Sequence, residues 1–521
     1  MDGWFGVLLT LVALSLMACR LSIPSPQPTS PLAGTPTSAA TTPTERATVT
    51  PTSAATTLTE RATVMPTGTA TRPAAQAIAT PIREIPISVP GDGQERLMGS
   101  IVMLFQGYPQ YCPQFQQYHV RFTWVTVGWN VIEPEKGRFE WELADKIVDS
   151  ILACDGLELA FRVSSTAEWA TFPPPPTGTK ELAPPSTAPR DMQDYYDFMF
   201  ALASHYKGKV TRYAIEEEAH AENYYWGGTP EQYMELLVTA HRAIHDADPD
   251  AIVQDSGLSS GAIGALYAHD LFRAGKTDEA GQFLRYWFAD YAPKYKGEIF
   301  KFDTTSDVQA FFEHRQVQRV LTWVDLLWGP YSENYDVQQI HYLGPWDVMP
   351  QMLSWLHDRM RVSGSDKPIE FWEFAYGWDD MRLYDPQAHA RHEAKMMAMA
   401  IGEGVVRALS WQFTDYAAIL GYPGLVTTRG PRPAAMAFGV TAEKVNGTTS
   451  SARLDLGQNV WGYRYDRPSG TVYALWSAQP TKVGLPIGAS SVIVTDITGK
   501  VMAADPRALD VGIDPIFVEV K

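Results

Sequence analysis

Between residues 97 and 411, eight apolar runs rich in β-branched and aromatic residues alternate with longer stretches of helical periodicity. The runs fall at 97–105, 120–127, 157–163, 210–215, 251–255, 336–342, 368–374 and 404–411. Helical patterns separate them at 142–153, 191–206, 230–247, 346–362 and 388–401. A parallel strand pair cannot be closed by a tight turn, so strands that alternate with helices build a parallel sheet with helices packed outside it. Eight such units predict an α/β fold, a (β/α)8 TIM barrel over residues 85–420. A doubly wound open sheet uses the same alternation, but no Gly-x-Gly-x-x-Gly follows the first run. One helix start can be read directly: Thr229 caps it, Pro230 takes the first helical position, and Gln232 completes a Thr-x-x-Gln capping box. The long connection at 275–335 is helical and rich in aromatic residues, an insertion that forms either a lid or a packing subdomain.

The flanks differ in kind. After Asp415, Gly and Thr punctuate short alternating runs, which predicts a small sandwich-like β-rich accessory domain over 421–521. Residues 20–84 are mostly Thr, Pro, Ala and Ser, and the octet that starts at Thr35 recurs in identical form from Thr50. Such a segment cannot bury enough apolar surface to order itself and reads as an extended linker. Residues 1–19 carry an apolar run of signal-peptide length, short for a spanning helix of ~20 residues. Leu16-Met17-Ala18-Cys19 resembles a lipobox, which makes Cys19 a candidate lipid anchor to a membrane. Together these features predict an extracytoplasmic protein, secreted or held at the bacterial surface.

The formal net charge of -17 argues against nucleic acid as a partner and leaves neutral ligands open. The three cysteines have no zinc-ligand spacing. Cys112 and Cys154 are either a disulfide or two buried thiols. No metal and no cofactor is implied.

In a barrel, chemistry gathers at the C-terminal ends of the strands. There the run at 210–215 ends in Glu216, Glu217, Glu218 and then His220. Three adjacent carboxylates repel, and partial burial pushes at least one pKa up. Glu373 ends the run at 368–374, on the opposite side of an eight-stranded barrel. Glu218 and Glu373 are therefore the candidate catalytic pair, one as acid and one as nucleophile. The same rule brings Trp129, Arg162, Trp169, Glu217, His220, Trp226, His341, Tyr342, Trp372 and Trp411 to the mouth as candidate ligand-binding residues. Flat aromatic faces with a few polar groups suit a sugar ring. Glu133 reads instead as a structural residue of its loop.

Trp129 with Glu133-Pro134-Glu135-Lys136-Gly137-Arg138-Phe139-Glu140-Trp141 resembles the second-strand signature of clan A glycoside hydrolases, with family 39 the nearest likeness. The stretches at 213–220, 229–233, 248–250 and 367–374, with Trp411, follow that pattern in order. The resemblance implies a TIM barrel that hydrolyses glycosidic bonds of an oligo- or polysaccharide with retention. It gives Glu218 the acid/base role and Glu373 the nucleophile role. Two positions depart from the pattern. Glu217 stands where the family has an Asn that holds the sugar 2-hydroxyl, and His341-Tyr342 replaces His-x-Tyr, which would turn Tyr342 to the other face. These departures leave a second expectation open, a catalytically silent carbohydrate-binding barrel lipoprotein.

Overall fold

The computed structural model describes residues 82–102, 108–171, 186–221, 225–289, 301–376, 384–415 and 423–520. The expectations for the leader, for Cys19 and for nearly all of the linker lie outside them.

Strand β1 (Arg83–Ile87) precedes the barrel. β2 (Leu97–Ser100), β3 (Phe122–Gly128), β4 (Glu158–Ser164), β5 (Arg212–Ile215), β6 (Ile252–Gln254), β7 (Leu258–Ser259), β8 (Gln338–His341), β9 (Ile369–Phe374) and β10 (Arg407–Ser410) form one sheet. Its order is β6-β5-β4-β3-β2-β10-β9-β8-β7, and every recorded pairing within it is parallel. A parallel bridge between Gln254 and Val337 joins β6 to the approach of β8, so the sheet curls into a TIM-like barrel. β6 fills the run expected at 251–255, and β7 continues it beyond those bounds after a break. They are parted at Gly257, whose φ of 79° is in the left-handed region. A Cβ there would lie 2.9 Å from His341 Nε2, so only glycine lets the chain pass.

Period-two alternation fills the interior. Toward the strand starts, Glu158 holds both Arg212 and Arg407, and Arg212 also pairs with Glu370 at 3.1 Å. Buried charges are tolerable when paired in this way. Above this layer Trp124 and Trp372 stack with ring centroids 5.9 Å apart. The capping box at Thr229 and Gln232 is formed in both directions and starts helix Pro230–Ala247. Cys112 and Cys154 form a disulfide, the first of the two readings left open.

In the insertion, helices Thr277–Trp287, Thr305–Glu313 and Arg315–Leu327 bury Trp287, Phe311, Phe312 and Trp323. Its described part packs as a subdomain. Helix Pro433–Val445, inside the stretch read as β-rich, packs on helix Pro386–Gly402. Proline at its start and an alanine-rich run explain it.

The C-terminal strands form a seven-stranded antiparallel sheet that recruits β1 at one edge, paired with Ser450–Asp455. In strand Gly470–Ser477, Val472, Ala474 and Trp476 join the core shared with the barrel helices. Tyr473 and Leu475 face the other way, into a second core with the strand pair Thr481–Val483 and Leu509–Val511. Buried Glu403 ties barrel to sheet, accepting Arg453 Nε at 2.9 Å and Tyr463 Oη at 2.5 Å. Among the described residues no helix is long and apolar enough to cross a membrane.

Candidate active site

The three glutamates after β5 do not share an environment, because the backbone twists between them. Glu216 and Glu218 take left-handed φ values of 66° and 37°, a conformation that costs non-glycine residues about 1–3 kcal/mol each. Neighbouring strands hold it. Glu216 N donates to Val163 O at 2.9 Å, and Glu218 N donates to Ser256 O at 2.7 Å. The insertion also contributes, since Arg319 donates to the carbonyls of Ala219, His220 and Gly228. Glu216 is thereby buried, and burial pushes its carboxyl up to about 8 against the pull of Ser186. Glu217 meets Arg162 in a close ion pair. Glu218 meets His341, whose Nδ1 is 2.8 Å from its Oε1.

Glu373 reaches the same place from β9 through a bulge. The register slips between Ile340 and His341, so Phe371 pairs with Ile340 while Glu373 pairs with His341. A strict alternation from Trp372, which faces the barrel axis, would send Glu373 outward. The extra residue turns it back in, a recognised use of bulges. Its two oxygens lie 3.9 Å from Arg162 Nη1 and 3.9 Å from His341 Nδ1.

Arg162 and His341 thus stand between three carboxylates. The Arg162 guanidinium lies on the Trp124 ring, 4.1 Å from its centroid, and donates to Thr126 Oγ1 from Nε and Nη2. This platform fixes its direction. Burial works against the His341 charge, but Glu373, Glu218 and Glu217 outweigh it and raise the imidazole to about 9. Burial lifts Glu217 to about 7 despite Arg162. Burial also lifts Glu373, with His341 and Arg162 opposing. Glu218 goes the other way, since the hydrogen bond and charge of His341 overcome its burial and lower it. The expectation that at least one of the trio is raised is met by Glu216 and Glu217. The expected acid itself is shifted toward its ionised form, and the raised imidazole of His341 is the favoured holder of the proton they share.

Six of the candidates come together here or at its rim: Glu217, Glu218, Glu373, Arg162, His341 and His220. His220 Nε2 is 2.9 Å from Ser259 Oγ, and burial lowers its pKa to about 4. Trp411 and Trp169 are partly buried: Trp411 packs against Trp372 and its neighbours, and Trp169 Nε1 donates to Glu133 O. The other aromatic candidates lie in packing. Trp129 is buried against Phe198 and Tyr195 and donates to Glu133, and that contact, with Gly137 N on Glu133, makes Glu133 a loop anchor. Trp226 is buried and donates to Thr229 O. Trp372 lies beneath the carboxylates on Glu370. Tyr342 turns outward onto Phe371, as the offset motif implied. Sequence reasoning missed Trp124 and Thr126. Their signal was available, because both alternate with outward residues on β3 and face the same interior as Arg162.

An open cavity of about 620 Å³ lies elsewhere, between helix Met349–Ser363 and the antiparallel sheet, lined by Tyr267, Trp355, Trp461 and Arg453. The convergence of buried charges, not cavity size, marks the candidate site.

No family model matches this chain and no curated protein matches it. Solved structures do share its fold. A glucosidase from Croceicoccus marinus has a TM-score of 0.51 at 11% identity over 83% of this chain and 96% of that one. A family 39 β-xylosidase from Caulobacter crescentus has 0.52 at 13% identity over 84% and 98%. A family 39 glycoside hydrolase from Bacteroides cellulosilyticus WH2 has 0.54 at 16% identity over 82% and 81%, so the likeness read from the sequence motifs is present in the fold.

Proposed function

We propose that this chain is a retaining glycoside hydrolase in which Glu218 is the acid/base and Glu373 the nucleophile. One observation carries the proposal: Glu218 Oε1 and Glu373 Oε2 both approach His341 Nδ1, at 2.8 and 3.9 Å. Those contacts cap the separation of the two oxygens at about 6.7 Å, which fits the ~5–5.5 Å of retaining enzymes better than the ~6.5–9.5 Å of inverting ones. The family-39 fold likeness supports the same class.

In the first step Glu218 protonates the leaving glycosidic oxygen while Glu373 attacks the anomeric carbon. The C–O bond breaks and a glycosyl ester of Glu373 forms. In the second, carboxylate Glu218 takes a proton from water, which attacks that carbon and frees Glu373. The acid's proton comes from His341 along the 2.8 Å hydrogen bond, so the resting imidazolium–carboxylate pair is the charged tautomer of the reactive neutral pair. Glu217 takes the place of the family Asn. Lifted to about 7, it carries a carboxylic O–H much of the time, and then both accepts and donates as an amide does. An oligo- or polysaccharide substrate, and attachment to the cell surface through Cys19 and the linker, complete the reading.

The test is product release from a panel of aryl glycosides and polysaccharides, with anomeric configuration followed by NMR. Glu373→Gln should abolish turnover. Glu218→Gln should lose about 10²–10⁴ on unactivated sugars, and far less on aryl glycosides whose leaving group needs no proton. Full turnover of unactivated sugars in either variant, or of any substrate in Glu373→Gln, refutes the assignment. The lowered pKa of Glu218 favours the alternative, a silent sugar-binding barrel; sugar binding by calorimetry with no product from any substrate selects it.

A further inference from the structure

On the far side of the barrel, three side chains converge that the proposed hydrolysis does not use. His241 and His245 lie one turn apart on helix Pro230–Ala247, so their rings share a face. Asp336, at the entry to β8, projects between them. Its Oδ1 is 3.8 Å from His241 Nε2 and its Oδ2 is 3.2 Å from His245 Nε2. The three ligand atoms all lie within 4.8 Å of one another.

We propose that His241, His245 and Asp336 form a binding site for a divalent first-row transition metal, zinc above all. Zinc holds nitrogen and oxygen ligands at about 2.0–2.2 Å, which makes the ligand–ligand edges of a tetrahedron about 3.4 Å. The two carboxylate–imidazole distances, each to a different oxygen of Asp336, bracket that value. With one oxygen as the ligand, the three atoms lie within 4.8 Å of one another, so each edge reaches about 3.4 Å by closing less than about 1.5 Å, which a small turn of the partly exposed side chains supplies. The ligands come from two elements, as a stapling metal requires. The carboxylate is already oriented by an outer hydrogen bond, because Val253 N donates to Asp336 Oδ2 at 2.7 Å. Asp336 N in turn donates to Val253 O at 2.8 Å, so the ligand's backbone is fixed as well. All three side chains are between a fifth and two-fifths exposed, which leaves the fourth position to water. Two imidazoles and one carboxylate suit zinc, nickel or copper, and are a poor set for magnesium or calcium, which take oxygen. Bound there, the metal would clamp the C-terminal part of the helix to the strand entry, away from the glutamates at the other end of the barrel.

The experiment uses the full chain without a polyhistidine tag, stripped with chelator. Zn²⁺ is titrated by calorimetry, and Co²⁺ is followed by its visible absorption. We expect one ion per chain, an intense tetrahedral Co²⁺ spectrum, and a rise in Tm of about 3 °C at a hundredfold excess over Kd. His241→Ala and His245→Gln, both at partly exposed helix positions, should each weaken binding at least tenfold while leaving glycoside turnover unchanged and lowering the metal-free Tm by no more than about 1 °C, the share of one partly exposed contact to Asp336. Binding that persists undiminished in the double variant overturns the proposal, as does the absence of binding to the wild-type chain at 100-µM Zn²⁺, taken as about the weakest useful structural affinity.

Discussion

Replacing Arg162 by Met removes, among the described residues, the one permanent cation paired with the three carboxylates of the site. Arg162 lies 3.9 Å from Glu373 and closer to Glu217. At an effective dielectric of about 20, a charge pair at that distance is worth about 4 kcal/mol before desolvation. Removing one partner of a buried pair typically costs about 3–5 kcal/mol. The methionine stem keeps its contact with Trp124, so most of the loss is electrostatic, and its pH dependence follows. Without Arg162 the folded-state pKa values of Glu217 and Glu373 rise further, since Arg162 opposes burial at both. A carboxyl whose folded pKa is raised binds more protons in the native state than in the unfolded one. Stability therefore falls as pH rises from the unfolded value near ~4.3 through the folded one. The deficit of the variant should be small, about 1–2 kcal/mol, at pH 4, where the carboxyls are protonated in both states. It should grow to about 4–5 kcal/mol by pH 8. Guanidinium unfolding at half-unit pH steps measures this. A deficit that stays constant between pH 4.5 and 8 would refute the electrostatic account of the site.

Three further outcomes follow from other contacts. Glu217→Gln should remain active and shift the alkaline limb of kcat/KM from near 7 toward 9, since the neutral amide replaces a carboxyl that ionises at about 7 and leaves the His341 pair to set the limb; an unchanged limb counts against Glu217 acting in its protonated form. Cys112→Ser with Cys154→Ser opens a link between residues 42 apart and should cost about 3–4 kcal/mol, read as a Tm drop of about 4 °C that reducing agent reproduces in the wild type. Glu403→Gln should lower stability by about 1–2 kcal/mol, a value kept modest because the Arg453 side chain is 35% exposed, and equal stability would show that this residue does not hold barrel and sheet together.

The barrel was legible because its signal is repetitive. Eight apolar runs with helices between them admit few topologies, and the capping box at Thr229 fixed one helix start to the residue. Local breaks in that periodicity were not legible. The run at 251–255 continues past a break as β7, because Gly257 has to clear His341, a contact 84 residues away in sequence. The bulge that faces Glu373 inward leaves no mark in a strand of uniformly large residues. Alternation alone would have placed that glutamate against the helices; its place at a strand end, and then the family motif, pointed to it instead. The opposite error affects Trp129 and Trp226. Position at a strand end or in a mouth loop says nothing of the χ angles that send an indole into the core, where Trp129 finds the buried Glu133 carboxylate and Trp226 the carbonyl of Thr229.

The substitution at Glu217 is where sequence and structure together say more than either. From the motif alone, an acid in place of an amide reads as damage to a sugar subsite. In the folded site the charges can be counted. Among the described residues the charged partners of Glu217, Glu218 and Glu373 are Arg162 and His341, with His220 kept neutral by burial, so even with His341 protonated the group is one positive charge short. Burial penalises that excess, and one carboxyl near neutral pH keeps a proton. Glu217 is favoured to carry it: it is less exposed than Glu218 or Glu373, at 9% of its side-chain area against 18% and 14%, and Glu218 is held ionised by His341. A protonated Glu217 leaves Arg162 free to stabilise Glu373 as a carboxylate, as its proposed role as nucleophile requires, and it presents the O–H that the amide would have supplied. The residue that departs most from the family pattern thus becomes the group that balances the charge of the other two glutamates.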